Sequence, residues 1–237
     1  LSVFLFQSEF ALPFLCFVSV AVVVVTWKRP EYGIVIAFAE LFANSHGHLV
    51  SAEFFGFSFS LRMAIFVGVM VGFLIRLFVC GKKETKFLGA WSSIKFLFQD
   101  RRLWMFLPLF GGIVIGFLIG VFRHPAPEAF KDGNAYLYLG HVFPILSISW
   151  TSVRKRLLFQ TLLAASVWVV ILGLGLLYSF THFSSDILSP MYTFIRDTRT
   201  GELTRLSGGL FRIFLQAQFS AVVSLILVTI FTWLSPL

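Results

Sequence analysis

Charge is what this chain has least of. Asp, Glu, Lys and Arg together make up 13% of its 237 residues, about half the share of an average soluble domain. That scarcity excludes a disordered segment and a coiled coil, both of which need abundant charge. With 58% of residues apolar and a mean hydropathy of +0.89, an ordinary soluble α/β enzyme is excluded too, because a globule of this size cannot bury so much apolar surface. Cysteine is nearly absent. Cys16 and Cys80 lie in or at the end of apolar runs, with no CxxC and no histidine at ligand spacing, so they indicate neither a metal site nor a redox compartment. Also missing are a P-loop, a GxSxG elbow, an HExxH helix and a zinc-ligand set. What remains is an integral membrane protein.

Apolar runs supply the architecture. About 20 apolar residues are needed to cross a bilayer as a helix, and backbone groups in lipid must be satisfied within the segment. Seven runs predict spans, at about 9–27, 31–44, 60–80, 104–122, 136–150, 157–180 and 213–234. The second and fifth are short, and must tilt little, extend into flanking residues or re-enter. The expected fold is an all-α polytopic transmembrane bundle, residues 1–237 forming one domain, with a partly helical outer loop at 181–212. The chain begins at Leu1 and ends at Pro236–Leu237 just after an apolar run; both ends suggest a piece of a longer protein.

The formal charge of +8 does not imply a nucleic-acid partner, because the cations sit between apolar runs instead of forming a stripe. They set sidedness. Lys28 and Arg29, Arg76, the group from Lys82 to Arg102, and Arg154 to Arg156 fall on one side, which holds six of the seven lysines. The positive-inside rule makes that side cytoplasmic and puts the N-terminus outside. On the inner side, 86–103 has the texture of an interfacial helix. Gly112, Gly116 and Gly120 in the fourth run, and Gly68 and Gly72 in the third, are spaced to let helix backbones approach closely.

The outer segment 181–212 carries Arg196, Arg199, Arg205 and Arg212 and no lysine. Positive charge outside runs against the orientation rule, and guanidinium is the side chain best matched to phosphate oxygens. Two readings are open there: a clamp for the phosphates of a lipid carrier, or ordinary pairing with Asp186, Asp197 and Glu202. Arg62, at the edge of the third run, has the same choice, with pairing to Glu40 preferred over a substrate phosphate. His46 and His48 form His-x-His, too few ligands for a metal. His141 in the fifth run is expected to bond a backbone carbonyl and not to catalyse. No metal or other cofactor is implied.

The segment MYTFIRDTRTGELTRLSGGLFRIFLQAQ (191–218) resembles the O-antigen ligase and O-antigen polymerase superfamily of bacterial inner-membrane proteins. RPEYGIVIAFAELFANSHGHL (29–49), SFSLRMAIFV (58–67) and DRRLW (100–104) agree in layout. The resemblance implies metal-independent transfer of a glycan from an undecaprenyl-diphosphate carrier at the periplasmic face. Arg199, Arg205, Arg212 and Arg196 would then bind the diphosphate, with Arg62 a secondary candidate. It also implies a catalytic histidine on a later loop, which no histidine here matches, so this piece alone would be inactive. A transporter or flippase of an anionic lipid-linked sugar is the competing reading, and a non-catalytic membrane scaffold a third.

Overall fold

The computed structural model describes residues 10–44, 50–54, 57–80, 101–198, 200–205, 211–215 and 217–234. Within them the chain is mainly helical. The helices are α1 (Ala11–Lys28), α2 (Pro30–Ala43), α3 (Leu61–Cys80), α4 (Arg101–Arg123), α5 (Ala126–Leu137), α6 (Val142–Ser147), α7 (Ser152–His182), α8 (Ser185–Asp197) and α9 (Gln218–Leu234). The bundle is not purely α. Strands β1 (Ser51–Phe54) and β2 (Phe57–Ser60) pair antiparallel, as do β3 (Gly201–Arg205) and β4 (Phe211–Leu215).

Seven full-length spans are not what these residues form. Among the described residues four helices are long and apolar enough to cross a membrane: Ala11–Lys28, Leu61–Val79, Phe106–Arg123 and Ser152–His182. α2 has 14 residues, about 21 Å of helix. The fifth run is broken into the end of α5, a 3₁₀ turn at Tyr138–His141 and the six-residue α6. Pro144 lacks the N–H that would bond the Gly140 carbonyl, and Ile148 turns extended (ψ 129°). There the Trp150 indole donates to the Ile145 carbonyl at 2.9 Å. In the seventh run β4 takes the front residues, leaving a 17-residue α9.

Local chemistry sets the turns. Arg29 alone separates α1 from α2. It is extended (φ −147°, ψ 92°) because Pro30, at N1 of α2, disfavours helix in the residue before it. Arg76 reaches from α3 to cap α1, donating to the carbonyls of Trp27 (3.1 Å) and Lys28 (2.9 Å). Arg154, at the start of α7, pairs with Glu31 at 3.1 Å. Lys28, Arg76 and Arg154 therefore gather at one end of the bundle, in keeping with the charge pattern.

α1 and α3 run in the same direction. Gly68 lies against Ser19 and Val22, Gly72 against Val23 and Thr26, and the core of Val22, Ile34, Ile65, Val69 and Ile148 fills beside them. α4 differs: among the described residues an added Cβ at Gly112 or Gly116 would meet nothing within 4 Å, and at Gly120 only Ala129 at 3.4 Å. Among the described residues, close backbone approach thus occurs at the third-run glycines and not along the fourth-run stripe.

A hydroxyl cluster ties α9 to α7 and α2. Ser166 and Ser224 share a 2.6 Å hydrogen bond, and Ser220 donates to the Phe42 carbonyl at 2.8 Å. Ser166→Ala is expected to cost about 0.6 kcal/mol and no more than about 1.7, read from thermal unfolding of the purified protein. A larger loss would show that the cluster holds more than one helix pair. Beyond Ser166, α7 continues through sixteen more residues to His182, about 24 Å, and this half carries α8, β3 and β4.

Candidate functional site

The α7 extension is apolar on one side, and the described parts of the arginine-bearing segment after it fold onto it. Leu188, Met191, Phe194 and Ile195 of α8 and Leu203, Phe211, Ile213 and Leu215 of the hairpin join Val169, Leu176 and Phe180 in one cluster. Phe180 and Phe211 rings meet at 5.6 Å between centroids. α8 ends where Thr198 donates through its side chain to the Phe194 carbonyl at 2.6 Å. Thr198 and Thr200 then share a 2.7 Å hydroxyl bond while both are buried. The Thr198 hydroxyl and the Thr200 N–H, which donates to the Ile195 carbonyl at 3.1 Å, satisfy carbonyls that a helix end leaves open, which fixes how α8 hands the chain to β3.

Register then sorts the hairpin side chains. Leu203 opposes Ile213 and packs toward α7. Thr204 opposes Arg212 and Glu202 opposes Phe214, so by strand alternation Glu202, Thr204 and Arg212 share the other face. All three are exposed. Between that hairpin and α8 lies an open cleft of about 430 Å³, lined among others by Tyr192, Ile195, Arg196, Glu202, Leu203 and Thr204.

The four arginines of this segment therefore have different situations. Arg196 lines the cleft and is committed to Asp197, Nε to Oδ1 at 2.8 Å. The hydrogen bond to Asp197, and then its charge, raise the Arg196 guanidinium above its ordinary value. Arg212 makes no ion pair or hydrogen bond among the described residues. Arg205 is the last residue of β3, opposite Phe211. Arg199 lies outside the described residues.

Arg62 is in a different place. At the start of α3 it bonds the Glu40 carboxylate through Nε (2.8 Å) and Nη2 (3.3 Å) and the Asn44 carbonyl at 3.1 Å. This is the pairing preferred from the sequence, and it leaves the cation neutralised.

Compared with family models, curated proteins and solved structures, the chain matches none.

His141 holds the Tyr138 carbonyl through Nδ1 at 3.0 Å and meets the Phe66 ring edge-on at 5.1 Å. Its Nε2 is buried with no hydrogen-bond partner among the described residues. Among the described residues no three His, Cys, Asp or Glu side chains come together as metal ligands; His46 and His48 lie outside them, as does 86–100 of the stretch read as an interfacial helix. What sequence reasoning missed is the cleft. Tyr192 and Arg196 stand four apart on α8, and Glu202 and Thr204 two apart on β3, spacings that put each pair on one face. Those signals were present, but nothing local says that the two faces meet.

Proposed function

We propose that this chain is part of a bacterial inner-membrane protein that binds an undecaprenyl-diphosphate-linked glycan at the periplasmic face and transfers the glycan to an acceptor, as an O-antigen ligase or polymerase does. The observation that carries this reading is Arg212, an exposed guanidinium with no partner among the described residues, beside a cleft and six residues before the start of α9. A diphosphate leaving group needs its charge neutralised as the glycosidic bond breaks, and a preplaced guanidinium meets that need. Arg205, whose register position opposite Phe211 is on the other face of the strand pair, and Arg196, already paired, are weaker candidates. With the N-terminus outside, the end that gathers Lys28, Arg76 and Arg154 faces the cytoplasm.

A transporter would use unpaired charge deep between helices. The least exposed charges among the described ion pairs, Glu40, Glu31 and Arg62, sit at helix ends and are paired, so transfer at the outer surface is the better reading.

In the full-length protein in lipid nanodiscs, Arg212→Ala is expected to weaken binding of undecaprenyl diphosphate by tenfold or more, since a charge-assisted contact contributes about 1.5–3 kcal/mol. Arg212→Lys should recover part of it. An unchanged affinity in Arg212→Ala, with the protein folded and inserted, rules out the clamp.

A further inference from the structure

We infer that the cleft between α8 and β3 is a binding subsite for an uncharged sugar ring, separate from the arginine that receives the diphosphate. The inference deepens the proposed function and rests on it only for the source of the sugar. Its basis is the charge of the walls. Arg196 is balanced by Asp197, and Glu202 adds a carboxylate with no ion pair among the described residues. A cleft so balanced does not attract phosphate; Glu202 repels it.

The remaining groups suit a polyhydroxylated ligand. A sugar hydroxyl both donates and accepts. It can donate to the Glu202 carboxylate, accept from the Arg196 N–H groups that Asp197 leaves open, and do either with Thr204. Tyr192 stands one helical turn before Arg196 and is 42% exposed. Its ring offers a flat apolar surface with a polar tip, the complement of a pyranose with C–H groups on one face and hydroxyls at its rim. At about 430 Å³ the cleft falls in the ordinary range for small-molecule sites. Arg212, opposite Thr204 on the same face of the hairpin, is placed to take the charged end of a molecule whose neutral end fills the cleft. The structure thus divides one glycosyl diphosphate between two sets of residues.

The experiment uses the full-length protein in two arms. The first reads binding to an array of free neutral, amino and acidic oligosaccharides; the second reads binding of undecaprenyl diphosphate without sugar. Tyr192→Ala and Glu202→Gln are each expected to lower the signal on neutral glycans about fivefold to tenfold while leaving the lipid arm unchanged. Tyr192→Phe, which keeps the ring, should retain most glycan binding and serves as the folding control. Arg212→Ala should do the reverse, losing the lipid and keeping the glycan. If no neutral glycan binds, or if the cleft variants bind as wild type, the subsite is overturned and the diphosphate arm stands on its own. If the wild type binds acidic glycans better than neutral ones, or if Glu202→Gln leaves acidic glycans as poorly bound as before, the charge argument is wrong. Failure of the lipid arm with glycan binding intact removes the proposed function and leaves the cleft a sugar site.

Discussion

Arg62→Ala is expected to destabilise the helix bundle by about 3–5 kcal/mol, the usual cost of stranding one member of a buried ion pair. The side chains of Arg62 and Glu40 are 16% and 7% exposed. Without the guanidinium the Glu40 carboxylate keeps the Asn44 amide at 3.0 Å and loses the two bonds that balance its charge. The pair also joins separate elements: Glu40 is in the last turn of α2, while Arg62 is in the first turn of α3, directly after the paired strands β1 and β2, whose entry is held by the Leu61 N–H on the Val50 carbonyl at 3.0 Å. The loss should therefore appear as a lower unfolding temperature in detergent and as faster proteolysis around 44–60. The paired replacement Glu40→Leu with Arg62→Met removes both charges and should recover most of the stability, because two apolar side chains need no partner in that environment. Arg62→Ala within 1 kcal/mol of wild type would mean that the pair is solvated and contributes little.

That pair was legible in the sequence because its reasoning was one-dimensional. Two consecutive apolar runs bring the end of one and the start of the next to the same side, and the opposite charges there then have each other as nearest partners. The same reasoning located α1, α3 and α7, where apolar length alone decides. It failed at 136–150, since hydropathy counts side chains and not backbone donors. Pro144 removes one such donor, and the run breaks into a 3₁₀ turn and a short helix. Period-two alternation was visible in FSFS at 57–60 and in GELTR at 201–205, yet short alternating stretches inside a membrane chain read as loop. The cleft was out of reach for a different reason. It exists only where a helical i, i+4 face meets a strand i, i+2 face, and that meeting is set by the apolar side of α8 packing on α7.

Glycine spacing gives the sharpest contrast between what a sequence suggests and what packing decides, and it carries the second large prediction. Gly72→Leu is expected to separate α1 from α3 and to cost about 3 kcal/mol or more, at the upper end for overpacking. A Cβ at Gly72 would stand 2.7 Å from the Val23 carbonyl oxygen and 2.8 Å from Thr26 Cβ; at Gly68 it would stand 2.8 Å from the Ser19 carbonyl oxygen. Backbone oxygens on a helix cannot rotate away, so α1 must move, and with it the buried Thr26 and the Arg76 cap on Trp27 and Lys28. Even Gly72→Ala should destabilise, despite a helix-propensity gain of about 1 kcal/mol. Gly116→Ala is the matched control. It lies in an equally apolar helix and has the same four-residue spacing, but its added Cβ meets nothing within 4 Å, so it should be neutral or gain up to about 1 kcal/mol from propensity alone. Thermal unfolding of the three variants side by side reads the difference directly. If Gly116→Ala falls as far as Gly72→Ala, α4 has a close neighbour outside the described residues, whereas a Gly72→Ala protein as stable as wild type contradicts the α1–α3 packing itself.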